Sequence, residues 1–256
     1  MDLSIVIPVR NEAENIGPLV AEITAALDGL TPYEVVYVDD GSSDGTAAEI
    51  MRLAVDRPQL RLLRHARSCG QSAAILTGVR AARGDWVATL DGDGQNDPAD
   101  IPGLWRLARA APSDPPLLVA GHREKRRDVW SKRMASRIAN GWRSRLLGDA
   151  TPDTGCGLKL FPRALFLELP AFDHMHRFLP ALVLRAGGTV RSVAVNHRPR
   201  RGGVSNYGIF DRLGVGIVDV FGVWWLQRRI VRPQTTAAAT VDGAAEVPVA
   251  PLSSLR

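Results

Sequence analysis

The stretch Trp86–Pro98, WVATLDGDGQNDP, decides how this chain is read. A β-rich run, Trp86 to Leu90, ends on Asp91-Gly92-Asp93, and Asp97 followed by Pro98 marks the start of a helix. Aspartate serves as an N-cap and proline is preorganised for a first helical turn. The spacing predicts a strand at Trp86–Asp91 and a helix at Ala99–Ala110. The same alternation repeats outward. Leu3–Pro8, Glu34–Asp39, Leu60–Arg64 and Leu117–Gly121 read as strands, and Glu14–Asp28, Thr46–Val55 and Gln71–Ala82 read as helices. Asp44 is placed to cap the second of these helices and Gly84 to end the third. Alternating β and α units predict an α/β fold, a Rossmann-like, mostly parallel sheet with helices on both faces. Ligands of such sheets sit beyond the carboxyl ends of the strands. The loops after Pro8, Asp39 and Asp91 are therefore expected along one edge.

At 256 residues, 45% hydrophobic and 23% charged, the chain suits one large or two small globular domains rather than a disordered segment. A net charge of +5 makes an anionic partner plausible: a nucleotide, a phospholipid surface or a nucleic acid. Cys69 and Cys156 are too few and too far apart for a disulfide scaffold or a CxxC site. The apolar run Leu3–Val9 has no basic start and no small-residue cleavage site, so it reads as a buried strand rather than a signal peptide. No run reaches the roughly 18 apolar residues of a spanning helix; Leu213–Leu226 comes nearest and Asp219 interrupts it.

Three segments depart from this texture. Arg123–Arg145 carries nine Lys or Arg residues against Glu124 and Asp128, with Trp130, Met134, Ile138 and Trp142 at helical spacing, which predicts a basic amphipathic helix within 123–147. A Gly-rich segment, Asp153–Lys159, and a mixed stretch to Val195 follow, expected to return one more strand to the sheet. Ile209–Ile230 reads as a helix in which Asp211, Arg212, Asp219 and Gln227 form a narrow polar stripe, closed by Arg228, Arg229 and Arg232. That pattern suits a helix in a membrane interface, with a buried core helix as the alternative. It also favours a membrane over nucleic acid as the partner of the basic region. The domain reading is a catalytic unit at 1–204, an interfacial helix at 205–232 and a disordered tail at 233–256.

The chemistry-bearing motifs lie at the strand ends. Asp91 and Asp93, with Gln95 nearby, offer the oxygen ligands that a hard divalent cation takes alongside substrate phosphates. Asp39-Asp40-Gly41-Ser42 can present a carboxylate to a base or ribose, and Gly41 permits close backbone approach. Pro8-Val9-Arg10-Asn11-Glu12 follows the first strand. Taken singly, each is also an ordinary acidic or polar turn; three on one edge can converge on one pocket. His174 and His176 form an HxH pair, expected in a surface loop because no third ligand stands at metal spacing. Cys156 reads as a small residue in a tight loop. No GxGxxG follows a strand and GxxxxGK[ST] is absent, which disfavours a dinucleotide-binding Rossmann domain and a P-loop NTPase.

The order Pro-x-x-Asn-Glu, Asp-Asp-Gly-Ser, Asp-x-Asp resembles family 2 glycosyltransferases of the GT-A fold. The resemblance continues through Gly70-Gln71-Ser72-Ala73-Ala74, Gly78 and Asp97-Pro98. Around Asp153-Thr154-Gly155-Cys156-Gly157, His197-Arg198-Pro199-Arg200, Gly203 and Ser205 it is similar to the polyprenyl-phosphate, dolichol-phosphate mannose synthase-like branch. It implies that Pro8, Arg10, Glu12, Val38 and Asp40 contact the nucleotide. Asp91, Gly92 and Asp93 would hold the diphosphate and a Mg²⁺ or Mn²⁺ ion with Gln95, and Arg123 and Arg200 would meet sugar or phosphate oxygens. Two departures stand out: Arg10 replaces a frequent Tyr, and Asn206, at the donor phosphates, replaces a common Lys.

The expectation is a metal-dependent, inverting transferase, peripheral on the cytoplasmic face of the membrane, moving a sugar from a GDP- or UDP-sugar to a polyprenyl phosphate. Asp93, Asp153 and Arg200 are its expected catalytic residues, with Asp153 the best base or acceptor-orienting carboxylate. The alternatives are the same fold acting on a saccharide hydroxyl, or a silent membrane-bound partner that keeps the fold. A nucleic-acid-binding module is disfavoured by the acidic pocket.

Overall fold

The computed structural model describes residues 1–123, 141, 143–200 and 209–230. Most of the expected basic helix, Asn206 and the expected tail at 233–256 lie outside the described residues.

The elements run β1 (Leu3–Val9), α1 (Ala13–Leu27), β2 (Tyr33–Asp39), α2 (Thr46–Ala54), β3 (Leu60–Arg64), α3 (Gln71–Ala81), β4 (Trp86–Thr89), α4 (Ile101–Ala110), β5 (Leu117–Arg123), β6 (Lys159–Pro162), α5 (Arg163–Glu168), α6 (Leu179–Arg185), β7 (Thr189–Val195) and α7 (Ile209–Gln227). Short 3₁₀ turns at Pro98–Asp100 and Met175–Arg177 precede α4 and α6. The seven strands form one sheet in the order β3-β2-β1-β4-β6-β5-β7. β1 pairs in parallel with β2 and β4, β2 with β3, and β5 with β7.

The mixed stretch supplies two strands where one was expected. β6 runs antiparallel between β4 and β5, and β7 follows at the edge. Four residues are too few for an alternation pattern, so β6 is indistinguishable in sequence from the start of the helix that follows it.

Side-chain alternation along the strands splits the core into two layers. Leu3, Ile5, Ile7 and Val9 of β1 pack with α1 and with Ile101, Leu104, Trp105 and Ala108 of α4. Those four positions of α4 repeat at three- and four-residue spacing, the apolar stripe of a helix lying on a sheet. Val6, Val36 and Val38 point the other way, into a layer shared with α3, α5, α6 and α7. Gly78 lets α3 sit directly on the sheet, because a Cβ there would overlap Val6 and press on Val38.

Asp44 accepts from the Thr46 amide (2.9 Å) and, across the loop, from the Ala13 amide (3.3 Å), so it ties together the starts of α1 and α2. Asp97 caps as expected, accepting from the Ala99 amide at 3.1 Å. Gly84 does not end α3. That helix stops at Ala81 with Ala82 extended, and Gly84 instead lets the chain cross β1, where a Cβ would lie 2.8 Å from Leu3 C and Ser4 N.

α7 is helical as read, and Asp219 and Gln227 of its polar stripe face the protein. Asp219 bonds His174 at 3.0 Å, and the Gln227 amide donates to the carbonyls of Leu147 and Ala181. Val220 and Val223 are buried, while Val218, Phe221 and Trp225 face outward, each at least half exposed. Among the described residues no helix is long and apolar enough to cross a membrane.

Glu34 ties the sheet to the α3–β4 connection. Its buried carboxylate accepts from Ser4 Oγ (2.7 Å) on β1, Arg61 on β3 (2.6 Å) and the Arg83 amide (2.5 Å). Burial opposes its charge, but these donors outweigh it and hold the carboxyl below its ordinary 4.5. Its contribution to stability is therefore complete above about pH 4.5 and lost as pH falls through the lowered value. Glu34→Ala is expected to cost about 3 kcal/mol in urea unfolding at pH 7, since it strands buried donors and the Arg61 cation. A loss below about 1 kcal/mol would show that the carboxylate is not what joins these strands.

Candidate active site

The strand register brings three loops to one edge. Val9 lies opposite Asp39 across the β1–β2 ladder, and the chain leaves β4 beside them, with the Leu90 amide donating to Val6 O. A cleft of about 560 Å³ opens there, lined by Pro8, Arg10, Glu12, Asp40, Asp91, Gly92, Asp93, Gln95, Arg123 and Arg200 among others. Ten of the residues read as functional in the sequence therefore share one cavity.

The first two loops are stapled together. Asn11 adopts a left-handed backbone (φ 56°); its amide donates to Ser42 Oγ and its Oδ1 accepts from the Ser43 amide, both at 2.9 Å. The Glu12 amide donates to Thr46 Oγ1 at 2.9 Å. These bonds fix Arg10 and Glu12 at the rim.

Asp40 accepts four hydrogen bonds, from His65 Nδ1 (2.7 Å), Ser68 Oγ (2.8 Å) and the amides of Cys69 (2.8 Å) and Gly70 (3.0 Å). Burial opposes its charge and the four donors overcome it, so its pKa is lowered. Asp40 lines the cleft while organising the loop that starts α3. The cluster Asp40, His65 and Cys69 is thereby explained by hydrogen bonding. Val38 does not reach the cleft: its side chain is fully buried between the sheet and Gly78 of α3, so it offers a nucleotide only its main chain.

Asp91 follows the end of β4. Its Oδ1 accepts from Gln71 Nε2 (2.8 Å), and its amide donates to Asn96 Oδ1 (3.2 Å). Asp93 accepts from the Gln95 amide at 3.1 Å. Gly157 makes the room, since a Cβ there would fall inside the Asp91 carboxylate. Removal from water raises the Asp91 pKa to about 6, with the Asp93 charge adding to it; Lys159, Arg123 and the Gln71 bond oppose the rise. Two adjacent carboxylates, one of them driven toward its protonated form, fit a divalent cation: the ion supplies the charge that the pair lacks, through the oxygen ligands it prefers.

The cations are held in place. Arg123 at the end of β5 forks onto Asp153, Nε to Oδ2 at 2.6 Å and a terminal nitrogen to Oδ1 at 2.9 Å. Asp153 is buried behind it and does not line the cleft, so it positions Arg123 rather than standing free as a base. Arg200 pairs with Glu12, and its Nε lies 4.0 Å from Asp93. A strap carries it there. The Asn196 amide donates to Asp100 (2.7 Å), His197 bridges Asn96, the Arg198 amide donates to Gln95 O (3.0 Å), and the Arg198 guanidinium meets Glu22 (2.7 Å).

Among the lining residues to which the sequence reading gave no role are Gln71, Lys159, His176 and Arg177. Lys159 is buried on β6, with Nζ donating to the carbonyls of Thr154 and Cys156; burial lowers its pKa. The HxH pair is not a plain surface loop. His174 turns to Asp219 of α7, whereas His176 bonds Ser72 Oγ (2.7 Å) on the cleft wall. The Cys156 thiol is buried and its pKa raised, so it is no reactive thiolate, as the tight-loop reading expected.

An α/β sheet with paired carboxylates at its crevice defines the class, and comparison with known proteins gives the family. Residues 4–169 match the model of glycosyl transferase family 2, and the chain belongs to that family. It is 35% identical over 238 residues to the dodecaprenyl-phosphate galacturonate synthase of Rhizobium johnstonii, covering 91% of this chain and 69% of that protein. It is 38% identical over 217 residues to the undecaprenyl-phosphate 4-deoxy-4-formamido-L-arabinose transferase of Edwardsiella ictaluri, covering 83% of this chain and 65% of that protein. The chain thus spans about two thirds of the length of these relatives. Among solved structures, glucosyl-3-phosphoglycerate synthase from Mycobacterium tuberculosis, in complex with Mn²⁺, uridine diphosphate and phosphoglyceric acid, superposes with a TM-score of 0.62. The identity is 19% and the coverage 90% of this chain and 80% of that one, which places the fold among GT-A-like structures.

The raised pKa of Asp91 has a measurable consequence. Its ionisation opposes folding: the contribution is complete at low pH and lost as pH rises through about 6. Asp91→Asn is expected to stabilise the metal-free protein at pH 7 by on the order of 2 kcal/mol, and to remove the stabilisation that Mn²⁺ gives the wild type. Thermal unfolding with and without Mn²⁺ tests both; a variant no more stable than wild type without metal overturns the strained-carboxylate account.

Proposed function

We propose that the chain transfers a sugar from a nucleotide-sugar, with a GDP or UDP leaving group, to a polyprenyl phosphate. The reaction inverts the anomeric centre by direct displacement. One observation carries this reading: among the described residues, the cleft holds no uncommitted carboxylate to act as a base. Glu12 is paired to Arg200, Asp40 accepts four bonds, Asp91 and Asp93 form the cation pair, and Asp153 is clamped to Arg123 outside the lining. A sugar hydroxyl needs a base to become a nucleophile. A phosphate monoester, with a second pKa near ~6, is already anionic at neutral pH. The likeness to a dodecaprenyl-phosphate galacturonate synthase and an undecaprenyl-phosphate 4-deoxy-4-formamido-L-arabinose transferase supports the same acceptor class.

Asp91 and Asp93, with Gln95 beside them, would hold a Mg²⁺ or Mn²⁺ ion, whose charge would offset that of the departing diphosphate. Arg200, steadied by Glu12, and Arg123, steadied by Asp153, place guanidinium groups in the same cleft. Preorganised cations of this kind act without reorganising during the reaction. Pro8, Arg10 and Asp40 line the nucleotide end.

The outward face of α7 supports peripheral attachment to the cytoplasmic side of the membrane. Val218, Phe221 and Trp225 form an exposed apolar line, followed by Arg228 stacked 3.8 Å over Trp224 and Arg229 beside Trp225. Apolar rings flanked by arginine suit an anionic bilayer surface. Phe221→Glu with Arg229→Glu is expected to release the full chain from anionic vesicles while transfer to a short soluble acceptor survives. Undiminished sedimentation with vesicles argues against this orientation.

The activity test is a panel of nucleotide-sugars with a short-chain prenyl phosphate and Mg²⁺ or Mn²⁺. Asp93→Ala is expected to reduce transfer by about a hundred-fold or more, and full turnover in EDTA overturns the metal reading. Asp153→Asn is expected to cost about ten-fold, through a loosened Arg123. A collapse of ~10²–10⁴-fold, the range of a lost general base, would favour a saccharide hydroxyl as acceptor.

A further inference from the structure

The cleft has two unlike walls. Along the ends of β1, β2 and β4 the charges are already matched, Arg200 to Glu12 and Asp93, and Asp40 to its four donors. A second stretch of the lining, from α3 and the 3₁₀ turn leading into α6, contributes Gln71, Ile75, His176, Arg177 and Leu179. There, among the described residues, Arg177 has no acidic partner. Asp173, its nearest acid in sequence, is turned to His174, accepting from the amide at 2.8 Å.

We propose that Arg177 and His176 form the subsite for the acceptor's phosphate, on the side of the sugar away from the Asp91–Asp93 pair. The proposal rests on the transferase reading above and names the residues that distinguish its acceptor.

Three observations carry it. The wall is contiguous with the cation pair yet distinct from it: consecutive residues of α3 bond the two, Gln71 to Asp91 (2.8 Å) and Ser72 to His176 (2.7 Å). An inverting displacement requires the incoming oxygen opposite the leaving diphosphate, so a second anion belongs on a second wall.

His176 is set as an uncharged donor. Ser72 Oγ accepts from the His176 amide (3.4 Å), and its proton can go to Nδ1, which leaves the ring proton on Nε2; Nε2 meets no described protein partner. Loss of water, with the charges of Lys159, Arg177 and His174, pushes the ring's pKa down to about 3, so it stays neutral and is a poor base. A neutral N–H beside an unpaired guanidinium binds phosphate oxygens without adding a second buried charge.

The third observation is the loop's other side. His174 bonds Asp219 of α7, and Phe172 lines an apolar hollow of about 440 Å³ with Val218, Val223 and Trp225. The segment that carries Arg177 thus joins the cleft to an apolar hollow, and the proposal lays the prenyl chain of a phosphate on Arg177 there.

The test uses the full chain with Mn²⁺ and a short-chain prenyl phosphate. Its three readouts are acceptor KM, kcat, and the Kd of the nucleotide-sugar measured without acceptor. Arg177→Ala is expected to raise acceptor KM about ten-fold or more, with donor Kd within about two-fold of wild type. His176→Ala is expected to raise acceptor KM less, and His176→Gln, whose amide restores an N–H, to recover part of the loss. Retained donor binding shows that the variants are folded. Unchanged acceptor KM in Arg177→Ala, or an equal loss of donor affinity, overturns the subsite while leaving the transferase reading intact. Failure of the wild type to transfer to prenyl phosphate with any donor, alongside transfer to a saccharide, overturns the transferase reading itself.

Discussion

Asp91 and Asp93 repel one another, and Asp91 is withdrawn from water as well. The rest of the site is arranged around that cost. Gly157 is bare so that the Asp91 carboxylate fits, Gln71 reaches from α3 to hold it, and Lys159 and Arg123 supply positive charge nearby. None of these groups neutralises it, and the pKa remains raised. A site whose charge is left partly uncompensated by its own protein binds a cation more strongly than a relaxed pair of surface carboxylates.

The same logic organises the arginines. Arg123 and Arg200 are each held by a carboxylate of their own, Asp153 and Glu12, so their side chains are ordered before any phosphate arrives. Lost side-chain freedom is then a folding cost rather than a binding cost. The strap from Asn196 to Arg200 extends this to the main chain, fastening the segment to Gln95, Asn96 and Asp100 and so to the loop of Asp91 and Asp93.

Much of this was legible in the sequence. Asp91, Asp93, Asp40 and Glu12 each follow a strand with clear β texture, and a parallel sheet gathers strand ends onto one edge. Val38 neighbours Asp39 in sequence, and strand alternation turns its side chain into the core, leaving its main chain for the contact expected of it. β6 was too short to show a period. His176 and Arg177 were obscure for another reason. They stand on a single 3₁₀ turn, with no strand before them, and reach the cleft only because α3 packs against that turn. No local pattern encodes a contact between Ser72 and a histidine 104 positions away. For α7 the periodicity was readable, but which stripe faces inward depends on Asp219 finding His174 and Gln227 finding two carbonyls.

The inward turn of Asp219 and Gln227 bears on kinetics. With Asp219 bonded to His174 and the exposed apolar line of α7 laid on a bilayer as proposed, the pocket would be held at a fixed height over the lipid headgroups. A lipid phosphate is confined to that same surface, so the encounter becomes a search in two dimensions. The acceptor's relevant concentration is then its mole fraction in the membrane. Dilution of the aqueous phase leaves it unchanged, whereas dilution with inert lipid lowers it.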